Sequence, residues 1–390
     1  MSEKKNKPKK AAAPIEPPAE ILDSGAEEEK LGRKKAPSGP GCLSRIFSFF
    51  GIIVTLALIG GFIWALNFSV SFLAPEEESR ELIVGIPEGA SAARIGQALE
   101  EAGAVKSADA FVWALRAKTR IKGQPIVLKA GEMILDPSLP VWKIIDLIAK
   151  GNYKVYPFTV PEGRNIYDIA QLIEAAGLGT QEAFLALCRD RNFISSLGLD
   201  VDSLEGYLFP ETYNFPKGTP LTGMVKKMTD TFLNVWSKYD RQAREKGLTR
   251  HEAVTLASIV EKETGVGRER PVIAGVFFNR LAKGMRLQTD PTVIYGLLPN
   301  FNGNITKADL QNPHPYNTYV IAGLPPGPIA NPGEAALAAA VRPDIVPYYY
   351  FVSKNDGSGE HDFSTTLVEH NRKVNQYLRK NQGQSRRQRR

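Results

Sequence analysis

The chain is short of the residues that build disulfide frameworks and metal centres. Its 390 residues include two cysteines and four histidines. Cys42 and Cys188 lie on opposite sides of the longest apolar run, so we predict that they do not pair, which excludes a disulfide-stabilised scaffold. The histidines lack metal-ligand spacing, and no P-loop or Gly-x-Ser-x-Gly motif is present, so no metal or other cofactor is expected. The histidines are His251, His314, His361 and His370.

The central part of the chain also lacks an excess of positive charge. The formal net charge is +7, but residues 1–45 hold ten Lys/Arg against seven Asp/Glu, and residues 372–390 hold eight Lys/Arg and no acid. Residues 46–371 therefore carry a net charge of −4. Because a nucleic-acid interface needs a basic surface on the folded domains, no nucleic-acid partner is expected. The hydrophobic content of 43% is enough for two or three ordinary domains.

Charge is missing altogether between Arg45 and Glu76. Within this stretch Phe49–Leu66 reads FFGIIVTLALIGGFIWAL, and about 20 apolar residues are enough to cross a bilayer. A cleaved signal peptide would have a shorter apolar region nearer the N-terminus, and a buried core helix would be expected to show a polar face. We predict a transmembrane helix over residues 46–72.

The flanks of this apolar run predict its orientation. Lys and Arg precede it, whereas the acidic segment PEEESRE follows it, so the N-terminus is expected in the cytoplasm and the later residues outside. Residues 1–45 and 381–390 are polar without apolar periodicity, and we predict that both are disordered. The Arg-rich tail could contact an anionic lipid or polymer, although a solvated run of charge is the simpler interpretation.

An internal repeat follows the apolar run. VGIPEGASAARIGQALEEAG (Val84–Gly103) aligns with FTVPEGRNIYDIAQLIEAAG (Phe158–Gly177). Each copy predicts a short strand, a Pro-Glu-Gly turn, an amphipathic helix ended by Gly, and a second helix that begins near Ser107 or Thr180. Between the copies the sequence predicts a further strand and helix. Such modules could bind a polymer or serve as spacers, and the repeat alone does not choose between these roles.

The sequence changes character from Leu204 onward. It predicts two helices, Leu221–Lys246 and Thr249–Thr264, and later the helix Glu334–Val341, the strand YYYFVSK and a polar hairpin. Strands and helices do not alternate regularly, which favours an α+β fold over a doubly wound sheet.

The helix TRHEAVTLASIVEKETG contains the candidate catalytic acid. Helical spacing puts Ala253, Leu256, Ala257 and Val260 on one apolar stripe, and Glu263 continues that stripe at the end of the helix. Burial and the negative end of the helix dipole would both raise the pKa of Glu263, as a general acid requires. The alternative is a surface Glu paired with Lys262 or Arg268, which the spacing favours about equally.

Polar residues in the following loops could complete a site for a sugar polymer, because rings pack on sugar faces and amides bind hydroxyl or acetamido groups. Taken singly they are common turn or core residues. The candidates are Asn279, Arg286, Gln288, Thr289, Asp290, Tyr316, Asn317 and Tyr319.

Several long segments together resemble the endolytic murein transglycosylases of the MltG/YceG-like family. They are LASIVEKET, VFFNRL, GMRLQTDPTVIYG, PYNTYVIAGLPPGPIANPG and YYYFVSKNDGSGEHDFSTTLVEHN. The resemblance covers roughly residues 45–380 and implies a single-pass protein of the bacterial inner membrane with a periplasmic catalytic domain. It also implies LysM-like modules, a lytic-transglycosylase domain, peptidoglycan glycan strands as substrate and peptidoglycan synthases as candidate partners. The second acid of its E-K-E-T motif is Glu263 here, which agrees with the helical-face argument.

The sequence features and the resemblance together give the domain boundaries that we expect. They are a cytoplasmic leader (1–45), a transmembrane helix (46–72), a LysM-like module (80–152), a second repeat-related module (153–203), a catalytic domain (204–380) and a tail (381–390). It implies cleavage between N-acetylmuramic acid and N-acetylglucosamine to give a 1,6-anhydro end. Among the polar loop residues, we predict substrate contacts from Gln288, Thr289, Asp290, Tyr316, Asn317 and Tyr319.

Two other functions are consistent with the sequence. A lysozyme-like hydrolase would use the same acid with a partner carboxylate, for which Asp290, Glu205 and Glu211 are candidates. A membrane-tethered scaffold would bind glycan through the repeat modules and have an inactive catalytic domain.

Overall fold

The computed structural model describes residues 49–63, 79–354 and 356–376. The chain divides into two units, residues 1–67 and residues 68–390, which are described separately. In the first unit residues 49–63 form helix α1. No helix among the described residues is both long and apolar enough to cross a bilayer. The remainder of the predicted span 46–72, the leader 1–45 and the tail 381–390 lie outside the described residues.

The second unit is an α+β structure in which helices predominate, as the sequence predicts. Its described helices are α2 (Ala92–Glu101), α3 (Ala108–Lys122), α4 (Val141–Lys150), α5 (Ile166–Ala175), α6 (Gln181–Leu187), α7 (Arg191–Ser196), α8 (Leu221–Trp236), α9 (Asp240–Glu245), α10 (Arg250–Glu263), α11 (Arg270–Ala282), α12 (Asp290–Gly296), α13 (Glu334–Val341) and α14 (residues 367–376). Short 3₁₀ helices occupy Gly267–Glu269 and Asp309–Gln311.

The described strands pair in three small antiparallel sheets. They are β1 (Leu82–Ile86), β2 (Gly131–Leu135), β3 (Val155–Thr159), β4 (Thr212–Pro216), β5 (Tyr350–Ser353) and β6 (His361–Ser364). β1 pairs with β2, β3 with β4 and β5 with β6. In register, Val84 faces Met133, Phe158 faces Tyr213 and Phe351 faces Phe363. Each of the first two sheets pairs the strand that begins one repeat copy with a strand that follows that copy.

The internal repeat is confirmed in its local structure. Both copies run strand, turn, helix, helix, and the first helix of each copy is followed by a glycine with positive φ, Gly103 or Gly177. The second helices begin after Ser107 and Thr180, whose hydroxyl groups accept bonds from the backbone N–H groups of Ala110 and Ala183. The strand and helix predicted between the copies are β2 and α4.

The two copies differ in the core that they join. The first copy, closed by α4, packs around its own hydrophobic core, which includes Leu99, Phe111 and Ile145. The second copy contributes to a larger core that runs on through residue 341. The predicted boundary between residues 203 and 204 therefore does not separate two hydrophobic cores.

One predicted helix is interrupted. The sequence predicts a single helix over Leu221–Lys246, but α8 ends at Trp236 and α9 begins at Asp240. The turn buries both Trp236 and Tyr239, and the Trp236 indole N–H donates to the Asp240 carboxylate at 3.0 Å. Burial of two large aromatic side chains outweighs the regular helical path here.

Candidate functional site

Helix α10 carries the candidate acid at its last residue, Glu263. The helix begins with the predicted capping box: the Thr249 N–H donates to Glu252 at 2.8 Å, and the Glu252 N–H donates to the Thr249 hydroxyl at 3.2 Å. This cap fixes where the helix starts. Its end at Glu263 then follows from Thr264, whose backbone is extended.

The four residues of the predicted apolar stripe of α10 are buried, but burial is not confined to the stripe, because every residue from Ala253 to Val260 is buried. The helix packs against α11, α12 and α13, so it has no solvent face over this stretch. Ser258, predicted to lie on a more polar face, has a fully buried hydroxyl that donates to the Thr255 carbonyl and accepts from the Ile329 N–H at 3.0 Å. The helix is thus a rigid support for its C-terminal end.

Glu263 is half-buried at this end, and its pKa is raised to about 8. Burial is the main cause, because it removes water from the ionised carboxylate. The negative charge of Asp290 adds to the rise, whereas the Arg280 guanidinium opposes it. Glu263 makes no hydrogen bond to any residue that the structure describes. It is therefore protonated near neutral pH and available to donate.

The neighbouring acid, Glu261, is engaged in contacts within the fold. Its side chain is only 6% exposed and forms an ion pair with Arg270 at 2.8 Å. It also accepts a hydrogen bond from the Gly333 N–H at 3.2 Å. A buried carboxylate paired with a guanidinium and a backbone amide is a fixed anion. The two acids of the E-K-E-T motif therefore differ: Glu261 is held by an ion pair and a hydrogen bond, whereas Glu263 has no hydrogen bond to a described residue.

The alternative ion pairs for Glu263 are not formed in the structure. Lys262 donates to the Gly163 carbonyl at 3.2 Å, and Arg268 pairs with Glu360. Both cations therefore bind other parts of the fold, and the interpretation of Glu263 as a paired surface residue has no support in the described contacts.

Two of the predicted loop residues lie beside Glu263. The Tyr319 hydroxyl donates to the Asp290 carboxylate at 2.7 Å, and the charges of Asp290 and Glu263 both raise the pKa of Tyr319 beyond the effect of its burial. Arg286 supports this pair, since its guanidinium donates to the Tyr319 carbonyl at 3.1 Å. Asp290, Tyr319 and Arg286 thus form one bonded group next to the acid.

Gln288 and Thr289 lead into this group. Gln288 is exposed and has a positive φ of 52°, which is uncommon for a residue other than glycine. Its N–H donates to the Thr318 carbonyl at 3.1 Å, which pins the turn. Thr289 is buried, and its hydroxyl oxygen has no hydrogen-bond partner among the described residues. The strained backbone conformation of Gln288 is of a kind that is often found at functional sites.

The remaining predicted loop residues have contacts elsewhere. Tyr316 packs on Tyr295 with ring centres 4.8 Å apart, and burial raises its pKa to about 12. Asn317 is buried, and its amide nitrogen donates to three backbone carbonyls of the same loop, the shortest at 2.8 Å to Asn312. Asn279 similarly donates to the carbonyls of Val346 and Tyr348. The structure brings Asp290 and Tyr319 to Glu263 but uses these amides to hold loops.

Arg280 is a site residue that the sequence analysis missed. It is buried, donates to the carbonyls of Leu287 and Tyr349 at 2.6 Å each, and lies over the Tyr350 ring at 5.3 Å. Its charge acts on Glu263, while burial lowers the pKa of Arg280 itself. An Arg inside the apolar run VFFNRL was the available signal, because a charge in a buried helix needs partners.

A second missed contact ties the C-terminal hairpin to the site. His361 lies at the start of β6, and its ring Nδ1 is 2.8 Å from the Glu269 carboxylate. The backbone N–H of His361 donates to the same carboxylate at 2.9 Å. Glu269 lies just before α11 and also accepts from the Thr264 hydroxyl. The residue that follows Glu263 is thereby linked to β6.

Taken together, a mixed α+β fold holds one protonated, unbonded carboxyl beside a carboxylate, a phenol and a guanidinium. This arrangement is typical of proteins that catalyse by general acid–base transfer.

The comparisons with known proteins identify the family of the chain. Residues 84–376 match the model of the YceG-like family. The chain belongs to the YceG-like family, as its resemblance predicts. The endolytic murein transglycosylase of Bacillus subtilis (strain 168) is 33% identical over 339 residues, which cover 82% of this chain and 91% of that protein.

Two further relatives agree. The endolytic murein transglycosylase of Streptococcus pneumoniae serotype 2 is 31% identical over 361 residues, covering 84% of this chain and 64% of that protein. A crystal structure of a yceG-like protein from Listeria monocytogenes superimposes with a TM-score of 0.51 at 33% identity, covering 76% of this chain and 99% of that chain.

Proposed function

We propose that this chain is an endolytic peptidoglycan lytic transglycosylase, a lyase that cuts glycan strands internally. It cleaves the bond between N-acetylmuramic acid and N-acetylglucosamine in nascent strands, leaves a 1,6-anhydro end and so terminates elongation. The names and close similarity of the relatives support this activity. The observation that carries it is Glu263, a half-buried acid with a pKa of about 8 that has no bond to a described neighbour.

The proposed reaction uses one acid twice. The Glu263 carboxyl donates its proton to the glycosidic oxygen as the bond to C1 breaks. The resulting carboxylate then accepts the proton of the muramoyl C6 hydroxyl, whose oxygen attacks C1 and closes the anhydro ring. Because the nucleophile belongs to the substrate, no second catalytic carboxylate is needed, in contrast to most glycoside hydrolases.

The residues around Glu263 support this cycle in different ways. Burial keeps the acid protonated before the reaction, and the Asp290 charge adds to that effect. Arg280 stabilises the carboxylate formed halfway through the cycle, because it is the nearby cation that lowers the pKa of Glu263. We assign substrate contact to Gln288, Asp290 and Tyr319, with Thr289, Tyr316 and Asn317 shaping the loops that present them.

We also propose the cellular setting. The apolar run anchors the chain in the bacterial inner membrane as a single span with its N-terminus in the cytoplasm. The catalytic domain then lies in the periplasm, where peptidoglycan synthases are candidate partners. The order strand, helix, helix, strand in residues 82–135 supports a LysM-like first module over residues 80–152.

Cleavage of purified sacculi by the full chain, with products identified by mass spectrometry, tests this function. We expect Glu263→Gln to lower the rate by about 10³-fold, in the range for loss of a general acid. Glu261→Gln, the matched change two residues earlier, should keep the activity at temperatures below its melting point. The exposed Glu211→Gln provides a control that disturbs no buried pair.

Each other outcome contradicts part of the proposal. Cleavage that survives Glu263→Gln but is lost in folded Glu261→Gln protein would mean that the other acid is catalytic. No cleavage by wild type or variant would favour the scaffold.

A lysozyme-like hydrolase is the second candidate, because the Asp290 carboxylate is close enough to raise the pKa of Glu263. Glu205 and Glu211 do not fit the role of partner carboxylate. Glu205 is buried and accepts from the Ile166 N–H at 3.0 Å, and Glu211 is exposed before β4. A hydrolase would leave a reducing muramic acid end, which is heavier than the anhydro end by one water, so the same mass spectra separate the two functions.

A further inference from the structure

Helix α3 of the first module presents an unusual surface to solvent. Its inner side includes the buried Phe111 and Lys118, whose ammonium donates to the Trp142 carbonyl at 2.8 Å. Its outer side is a stripe at three- and four-residue spacing, which places these side chains on one face. The outer stripe consists of Trp113, Arg116, Ala117, Arg120 and Ile121, all exposed.

The outer stripe combines large apolar groups with cations. Trp113 is 69% exposed and Ile121 76% exposed, and the Arg116 guanidinium lies 5.6 Å from the centre of the Trp113 ring. Val127, five residues beyond the end of α3, is also 76% exposed. Exposed tryptophan and aliphatic side chains flanked by arginine are typical of protein surfaces that lie at the boundary between lipid headgroups and acyl chains.

The positive charge of the module is concentrated on this helix. α3 contains four Lys/Arg and a single acid, Asp109. Of the four cations Lys118 faces inward, where it pairs with Asp146 at 2.6 Å. Arg116 and Arg120 are on the outer stripe, and the exposed Asp109, four residues before Trp113, lies on the same face, so the net charge of that face is +1.

We propose that the outer stripe of α3 docks the first module onto the surface of a bilayer that contains anionic lipids. This inference depends on the membrane anchor assigned under the proposed function. Trp113, Ile121 and Val127 enter the headgroup boundary, while Arg116 and Arg120 pair with lipid phosphates.

The length of the chain supports a lipid occupant. Fifteen residues, 67–81, separate the apolar run from β1. Covalent geometry limits their reach to about 50 Å. A module tethered so closely experiences a high effective concentration of lipid, so a small stripe with two exposed arginines is enough for docking.

Trp fluorescence of the full chain in lipid nanodiscs tests the docking. The chain has four tryptophans: Trp64 in the apolar run, Trp113 on the stripe, and Trp142 and Trp236 packed in the fold. In a Trp64→Phe background, lipids brominated on the acyl chain should quench about a quarter of the emission in anionic discs. The additional change Trp113→Phe should abolish that quenching, and Arg116→Glu with Arg120→Glu should reduce it at least threefold.

Matched controls separate docking from general charge effects and from anchoring. Arg94→Glu with Lys143→Glu changes the same net charge on α2 and α4 of the same module and should leave quenching intact. Quenching of Trp64 itself, measured as the difference between the chain and its Trp64→Phe variant, reports insertion of the anchor. If Trp64 is quenched and Trp113 is not, the docking proposal is wrong while the anchor stands.

Three other outcomes would also overturn the proposal. Absence of the chain from the discs would contradict the anchor on which it depends. Equal quenching in zwitterionic discs, unchanged by the arginine reversals, would exclude recognition of anionic lipid. Shielding of Trp113 from a soluble quencher only after addition of glycan, or only at raised protein concentration, would assign the stripe to glycan or to a second copy of the chain.

Discussion

The two repeat copies share a turn, Pro-Glu-Gly, but only one of the two turns contacts the helix that carries Glu263. In the first copy Glu88 and Gly89 are exposed. A side-chain Cβ placed on Gly89 would have no other atom within 4 Å. In the second copy the Gly163 N–H donates to the Asn331 carbonyl at 3.0 Å, and the Gly163 carbonyl accepts from Lys262. The same local sequence therefore gives the same local structure, and its role depends on what packs against it.

The difference extends to the residues beside the turn. Glu162 lies 3.6 Å from Arg270, the partner of Glu261, so the second turn borders the end of α10. The first copy instead closes on α4 and forms its own core. One copy thus packs against the end of the helix that carries Glu263, while the other packs around its own core.

The largest expected effect comes from Asn331, which joins the second copy to the rest of the core. Its carboxamide accepts from the Leu208 N–H at 2.8 Å and donates to the Arg164 carbonyl at 2.9 Å. Asn331→Ala leaves the Leu208 N–H without its partner and removes the amide contact to Glu205, whereas the Arg164 carbonyl keeps its bond from the backbone N–H of residue 331. We expect a loss of about 2–3 kcal/mol in the free energy of unfolding. Chemical denaturation measures the loss.

Hydrogen exchange then shows whether the two copies respond differently. In Asn331→Ala protein the amides of the second copy should lose protection, whereas those around Leu99 and Ile145 should not, because the first copy has its own core. Asn192→Ala, at an exposed position of α7, is the matched control. Equal loss of protection in both copies would show that the two cores unfold as one.

A smaller effect is expected from Glu205, which binds the start of the second copy's helix. Burial raises its pKa from 4.5 to about 8, so between these values the folded state holds a proton that the unfolded state has released. Stability conferred by this group is therefore complete below pH 4.5 and falls as the pH rises towards 8. Glu205→Gln, which resembles the protonated acid, should reduce that decline.

The measurement is the free energy of unfolding at about pH 5, 6.5 and 8. The raised pKa of Glu263 also makes the stability fall as the pH rises. The plot of unfolding free energy against pH should therefore be flatter for Glu205→Gln than for the wild type, but it should still slope downwards. Glu88→Gln, in the exposed turn of the first copy, is the matched control. An unchanged slope in Glu205→Gln protein would mean that Glu205 does not carry a retained proton.

The sequence was sufficient for features that depend on neighbouring residues. Helix caps, the glycines after the repeat helices and the position of Glu263 at a helix end are all set within a few residues. It was insufficient where distant segments meet. Nothing near Asn331 in GLPPGPIANPG indicates its bond to Leu208, and the burial of α10 on all sides depends on α11, α12 and α13.

Arg280 and Glu205 illustrate the same limit for the site. Each is a charged residue in an ordinary context, and only the folded structure shows that one acts on Glu263 while the other holds α5. The position of Glu263 at the end of its helix was predicted because the capping box marks the start of the helix and its end is clear. Its surroundings were predicted in part, since Asp290 and Tyr319 lie beside it whereas the Asn317 amide is used within its own loop.

The smallest expected effect compares the helix caps at equivalent positions of the two copies, Ser91 and Asn165. The Ser91 hydroxyl accepts one bond, from the Arg94 N–H at 3.3 Å, whereas the Asn165 side chain accepts two, from the N–H groups of Tyr167 and Asp168 at 2.9 Å each. We expect Asn165→Ala to cost about 1–2 kcal/mol of unfolding free energy and Ser91→Ala about 0.5 kcal/mol, measured by chemical denaturation. Ser91→Asn should raise the free energy of unfolding above that of the wild type by a few tenths of a kcal/mol, because it gives the first copy the cap residue of the second. Equal costs for the two alanine variants would mean that cap geometry does not distinguish the copies, which would leave their tertiary contacts as the whole of the difference.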